Sequence, residues 1–229
     1  MCSRYFLDDD GNVIAYTFRV PLREPIRRRF NIAPTQVAPV VRVGADGERE
    51  LAMLRWGLVP FWAKDLSVGN KMINARCETV AEKPAFREAL KKRRCIVPAS
   101  GFFEWTGSAG HKIPHAITVE GRPLIAMAGL WECWKDAGGA PVETFTILTT
   151  EANGFMSALH DRMPAILPDE NIDDWLEGPA ENACRLIRPY DDATMRERTV
   201  SRLLNSPDNE SEALFRMSEP RTGNLLEGL

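Results

Sequence analysis

Short runs of β-branched and aromatic residues, each cut off by glycine or proline, set the limits on what this chain can fold into. Val13–Val20, Gln36–Val43 and Glu50–Trp56 read as strands, the last two joined by the turn-forming Gly44-Ala45-Asp46-Gly47. Arg94–Pro98, Gly101–Trp105, Ala116–Val119, Leu124–Leu130 and Thr144–Thr149 continue the pattern. Helical signals are fewer. Thr79-x-x-Glu82 has the form of a capping box, and Pro84 suits the first turn of a helix running to about Lys92. Glu151–Leu159 and Pro168–Leu176 are the other helical stretches, the second with acids in its first turn. No internal repeat and no linker divides the 229 residues. The expectation is one α+β domain over residues 2–210, with a mainly antiparallel or mixed, barrel-like β core, flanking helices and long functional loops. Residues 211–229 read as a C-terminal tail, disordered in part.

Composition removes several functional classes. The chain is 44% hydrophobic and 27% charged, ordinary for a soluble globular protein. No stretch approaches the roughly 18 apolar residues a membrane span needs. Five scattered cysteines, an odd number with no CxxC pair, argue against a disulfide framework and for a reducing, intracellular setting. With only His111, His115 and His160 besides, neither a metal site nor a cofactor is expected, and the localisation expected is cytoplasmic. Charge is uneven: residues 1–100 hold 18 Lys and Arg against 11 Asp and Glu, and residues 101–229 hold 11 against 21. A polyanion would meet the first half preferentially, unless Arg27-Arg28-Arg29 and Lys91-Lys92-Arg93-Arg94 are simply solvated faces.

The second residue is cysteine, in Met1-Cys2-Ser3-Arg4. A small residue there allows the initiator methionine to be removed, so the mature chain is expected to begin at Cys2. An α-amine, with a reference pKa of about 7.7–8.0, and a thiol, near 8.5, would then stand on adjacent carbons. Such a 1,2-aminothiol condenses with an aldehyde to an imine, and the thiol then closes a five-membered thiazolidine.

Several loop segments gather residues that chemistry uses. Asn31-Ile32-Ala33-Pro34-Thr35 is turn-forming, and Trp56-Gly57-Leu58-Val59-Pro60-Phe61-Trp62 is aromatic but broken. Ile73-Asn74-Ala75-Arg76-Cys77-Glu78-Thr79 leads into a helix start. Pro98–Trp105 holds a lone carboxylate, Glu104, between aromatic neighbours whose desolvation would raise its pKa. Leu159-His160-Asp161-Arg162-Met163-Pro164 completes the set. Each has a structural alternative. Trp56, Phe61 and Trp62 can be core, Glu104 a surface strand residue, and His160 a core histidine bonded to Asp161.

Taken together, Met1-Cys2-x-Arg4, Asn31-x-Ala33-Pro34, Trp56-Gly57-x-x-Pro60-x-Trp62, Asn74-Ala75-Arg76-x-Glu78-Thr79, Gly101-Phe102-x-Glu104-Trp105 and His160-Asp161-Arg162-Met163-Pro164 resemble the SRAP (SOS response-associated peptidase) family in type and order. The resemblance runs from residue 2 to about 207, through a late strand at Val200–Leu204 and Asn205-Ser206-Pro207. Ser3 departs from it, standing where the family usually has glycine. The resemblance implies a DNA-damage enzyme that crosslinks through Cys2 to abasic sites in single-stranded DNA, with autopeptidase (hydrolase) and AP-lyase activities as further possibilities. It implies proton transfer by Glu104 around the Cys2 amine, assistance to sugar ring opening by His160, and a hydrogen bond from Asn74 to the opened sugar. Arg4 and Arg76 would meet flanking phosphates, Pro34 and Trp62 would wedge or stack against bases, and Trp105 would be a further DNA-binding residue. Arg162 would hold a phosphate or pair with Asp161 or another acid. Abasic single-stranded DNA is the partner expected, and one active site per chain makes a monomer sufficient. The rival classes are an N-terminal-nucleophile cysteine peptidase and a non-catalytic single-stranded DNA binding module.

Overall fold

A computed structural model describes residues 2–108 and 110–216. The chain runs β1 (Tyr5–Leu7), α1 (Asn12–Phe18), β2 (Arg29–Ile32), β3 (Val37–Val43), β4 (Arg49–Trp56), β5 (Asn74–Arg76), α2 (Arg87–Lys92), β6 (Arg94–Ala99), β7 (Gly101–Thr106), β8 (Ile113–Val119) and β9 (Ile125–Lys135). It continues through β10 (Pro141–Glu151), β11 (Arg162–Pro164), β12 (Ile166–Leu167), α3 (Ile172–Glu177), α4 (Ala180–Leu186) and β13 (Met195–Thr199). β10 pairs with β4, β4 with β3, β3 with β6, β6 with β9, and β9 with β10 again, which closes a five-stranded barrel. The β4–β10 pairing is parallel and the other four are antiparallel, so the barrel is mixed. The fold is the α+β, barrel-cored single domain that the pattern of short runs suggests. No described helix is long and apolar enough to cross a membrane.

A second sheet, in the order β13-β8-β7-β1-β2, leans on the barrel. The chain passes from one to the other at Ser100 between β6 and β7. Gly101 is needed there: a Cβ on it would lie 2.4 Å from the Ile117 carbonyl oxygen. The core is aromatic where the two layers meet, with Tyr5 edge-on to Trp56 at 5.2 Å and Trp56 stacked on Phe145 at 6.2 Å. Trp56 is therefore core.

Four elements differ from expectation, each for a local reason. Val13–Val20 forms α1 instead of a strand, because the buried Asp9 carboxylate accepts from the N–H groups of Gly11, Val13 and Ile14. Ile14 and Phe18, four apart, then bury one helix face. The helix placed at Thr79–Lys92 is confined to Arg87–Lys92. Thr79 begins a turn, accepting from Glu82 and Lys83, but a residue before proline disfavours the α region, so the turn stops at Lys83–Pro84. In Glu151–Leu159 only the 3₁₀ turn Met156–Ala158 is helical, since Glu151 pairs with Arg162 across β10–β11. Val200–Leu204 is not a strand either. The strand is the preceding β13, after which Ser201 caps the 3₁₀ turn Arg202–Asn205 and Val200 and Leu204 bury together. Residues 211–216 close over the second sheet, with Leu214 fully buried and the Phe215 ring 4.8 Å from Phe6. The rest of the expected tail lies outside the described residues.

Candidate active site

β1 fixes the start of the chain. It pairs with β2 and β7, and the Phe103 N–H donates to the Arg4 carbonyl at 3.0 Å. Cys2 is thereby drawn under the second sheet and fully buried, with Sγ 3.6 Å from the Arg4 carbonyl oxygen. Asn74, first residue of β5, reaches it from the barrel: its Nδ2 donates to the Cys2 carbonyl at 2.7 Å. The Asn74 Oδ1 is buried with no hydrogen-bond partner among the described residues.

Glu104 projects from β7 and is 3% exposed. Burial raises its pKa, opposed in part by His160. Burial also pushes the Cys2 thiol well up, and the Glu104 charge adds to that. Burial and the neighbouring charge thus both favour the protonated thiol. Four residues from distant parts of the sequence share this space: Cys2 bonds Asn74, Cys2 feels Glu104, and Glu104 feels His160.

β10 explains the convergence. Its second half carries β5 in parallel on one side, with Thr149 opposite Arg76, and β11 in antiparallel on the other, with Glu151 opposite Arg162. Arg76, His160, Asp161 and Arg162 consequently line one open cleft of about 630 Å³. Arg76 is exposed there. Arg162 is buried, its guanidinium held by Glu78 through Nη1–Oε1 at 2.6 Å and Nη2–Oε2 at 2.9 Å. Of the two roles open for it, the structure shows an ion pair, and Glu78 is the acid. Asp161 instead lies 2.7 Å from His160 Nδ1.

The remaining candidates occupy other places. Arg4 spends Nη1 on Asn31 Oδ1 at 2.9 Å and the Leu204 carbonyl at 3.0 Å, tying the N-terminus to the C-terminal segment. Pro34 sits in the turn between β2 and β3, followed by Thr35 at φ 74°, an uncommon left-handed conformation for a β-branched residue. Trp62 is exposed beside exposed Phe61. Their loop is braced by Ala63, which donates to the Pro60 carbonyl and accepts from Trp134 Nε1, both at 2.8 Å. Trp105 donates to Asn205 Oδ1 at 2.9 Å. Among the described residues no hydrogen bond or ring contact joins Pro34, Trp62 or Trp105 to Cys2. Asn31 and Glu78 lie within the motifs, and the structure gives them roles that the motifs do not: Asn31 anchors Arg4 and Glu78 holds Arg162.

The sequence profile of the SOS response associated peptidase (SRAP) family matches residues 1–207, which contain every one of these side chains. The chain belongs to the SRAP family. It is 41% identical to the abasic site processing protein YoqW of Bacillus subtilis, over 94% of this chain and 99% of that one. It is 36% identical to the abasic site processing protein HMCES of Gallus gallus, over 81% of this chain and 65% of that one. A crystal structure of a protein from Bacteroides thetaiotaomicron superposes with a TM-score of 0.85 at 28% identity, covering 95% of this chain and all of the other. The SRAP barrel and second sheet are thus shared across that structural comparison.

Proposed function

We propose that this protein recognises abasic sites in single-stranded DNA and captures them covalently through Cys2. The observation that carries the reading is the meeting of Cys2, Asn74, Glu104 and His160 beside a cleft lined by Arg76. Relatives named abasic site processing proteins support it.

The chemistry follows from the placement. Met1, which lies outside the described residues, must be removed to free the Cys2 α-amine. The open abasic sugar offers an aldehyde at C1′, and the amine adds to it as a carbinolamine. Loss of water gives an imine. The thiol then adds across the C=N bond, its sulfur joining C1′ and its proton passing to nitrogen, so the thiazolidine forms with one water released overall. A protonated, buried thiol favours this order, with nitrogen first and sulfur second. Glu104, its pKa raised by burial, gives a proton to the departing hydroxyl and recovers one from the nitrogen as the imine forms. His160 donates to the sugar oxygen as the ring opens. Asn74 Nδ2 holds the Cys2 carbonyl, leaving Oδ1 to accept from a sugar hydroxyl.

Incubation with an abasic-site oligonucleotide, followed by a denaturing gel, tests the reading. The mature protein should give a band that survives denaturation without reductant. Cys2→Ala should give one only when borohydride traps the imine. A full, reductant-independent band from Cys2→Ala would sink the thiazolidine. Binding without any covalent band would favour the non-catalytic module, and cleavage of peptide substrates by Cys2 would favour the peptidase.

A further inference from the structure

Glu78 touches none of the groups assigned to the reaction, yet it is fastened to the segment that presents one of them. Its carboxylate grips Arg162 at both ends, at 2.6 and 2.9 Å, and its pKa is lowered chiefly by that bond. Arg162 Nη2 also donates to the Thr149 carbonyl at 2.7 Å, which pins the guanidinium to β10. The backbone N–H of the same Arg162 donates to His160 Nδ1 at 2.9 Å. Glu78, standing just beyond β5, therefore ties the His160–Arg162 segment to the strands that carry Asn74 and Arg76.

The bond to Nδ1 has a chemical consequence. A ring nitrogen that accepts an N–H bears no proton, so the neutral imidazole carries its hydrogen on Nε2. Asp161 Oδ1, 2.7 Å from the same Nδ1, favours the opposite arrangement, with a proton on Nδ1. The Arg162 backbone and the exposed Asp161 compete for one nitrogen, and the position of the Arg162 backbone decides between them. β11 is only three residues long; its ladder and the Ala152 N–H, which donates to the Asp161 carbonyl at 3.1 Å, hold the backbone there, and the Glu78 and Thr149 bonds to the Arg162 guanidinium add a side-chain anchor.

We propose that Glu78 is a positioning residue: by clamping Arg162 it holds His160 as the Nε2–H tautomer, the form that donates to the sugar oxygen. This rests on the covalent-capture reading above for its use, but the tautomer can be observed without DNA. Imidazole nitrogen NMR on the ¹⁵N-labelled, DNA-free protein should show His160 as a single Nε2–H tautomer. Glu78→Gln should give a mixture of tautomers and slow crosslinking by about tenfold or more, with affinity for an unmodified single strand held within about twofold. Glu78→Asp keeps the charge and should recover part of both losses, and it serves as the comparison if Glu78→Gln folds poorly.

A single Nε2–H tautomer and a wild-type crosslinking rate in Glu78→Gln would overturn the proposal. So would a loss of strand affinity with the tautomer unchanged, which would make Glu78 a prop for a phosphate-binding Arg162. If the tautomer shifts as expected but the wild-type protein forms no crosslink, the clamp stands and the covalent reading fails.

Discussion

The basic first hundred residues and the acidic remainder look, by charge count, like a nucleic-acid face and its counterweight. In the fold six of the 18 cations of the first half pair instead with acids of the second half. Arg29 pairs with Glu210 at 2.9 Å, Arg42 with Glu143 at 2.7 Å, and Arg93 with Glu132 at 2.7 Å. Arg49 meets Asp173 and Glu177, Arg19 also meets Asp173, and Arg28 reaches Glu212. Arg94 is buried among backbone carbonyls. Of the two runs that suggest a basic surface, Arg28, Arg29, Arg93 and Arg94 are thus spent on the fold, while Arg27 and Lys92 stay exposed. The lesson is that charge asymmetry along a chain can encode tertiary contact as readily as a ligand. What distinguishes a cation available to phosphate is exposure without an acid partner, as at Arg76.

That division can be broken first where it should be strongest. Arg94 donates to the carbonyls of Leu90 at 2.9 Å, Gly178 at 2.5 Å and Trp175, which satisfies the C-terminal ends of both α2 and α3. Arg94→Met leaves those carbonyls buried without donors, and urea unfolding should show a loss of about 3 kcal/mol or more. The folded fraction should still bind a single strand with wild-type salt dependence. A stable Arg94→Met protein with weakened DNA binding would place this residue on the wrong side of the comparison.

Arg42 should come next. It bonds Glu50 and Glu143, both at 2.7 Å, and its guanidinium lies 4.1 Å from the Trp131 ring centroid. Arg42→Ala removes a partly buried pair together with that stacking, for an expected loss of about 2 kcal/mol in the same measurement. A change within experimental error would mean that the seam between the halves is solvated in practice.

What could be read from the sequence divides along similar physical lines. β3, β4 and β6–β10 announced themselves because alternation and turn chemistry are local, and Gly44–Gly47 is a turn in any context. α1 did not, because its apolar, β-branched residues suit a strand until Asp9 caps the segment. β5, β11 and β12 are two or three residues long and exist only because β9 and β10 are there to pair with them. In the site, the types of Cys2, Asn74, Glu104 and His160 were legible from the motifs. The Glu78–Arg162 pair was not, because 84 residues separate partners that only the two sides of β10 bring together.

Acid should sharpen the comparison by a smaller amount. Asp173, between Arg49 and Arg19, has its pKa lowered chiefly by the Arg49 hydrogen bond. A depressed carboxylate stabilises the fold above its unfolded pKa, and that contribution disappears as pH falls through the folded value. Because Asp173 is half exposed, solvent screening limits the effect to about 1 kcal/mol or less. Asp173→Asn should therefore narrow the stability gap between neutral pH and pH near 3, as followed by urea midpoints. An identical acid dependence in the variant would show that this cross-half pair contributes nothing.

Arg76 should give the smallest stability change and the clearest functional one. It is exposed in the cleft, and among the described residues its side chain makes no hydrogen bond or ion pair, so Arg76→Ala should leave unfolding within about 0.5 kcal/mol of wild type. A cation that meets a phosphate releases a counterion from single-stranded DNA, and each such contact contributes about −0.7 to the slope of log affinity against log salt. Arg76→Ala should make that slope shallower by about this amount for an unmodified strand. Arg28→Ala, from the basic run paired with Asp8 and Glu212, should leave the slope unchanged. Equal losses of slope in the two variants would mean that paired and unpaired cations serve the DNA alike. An unchanged slope for Arg76→Ala alone would remove it from the phosphate contacts, and the cleft would then have to hold the strand by the sugar and bases instead.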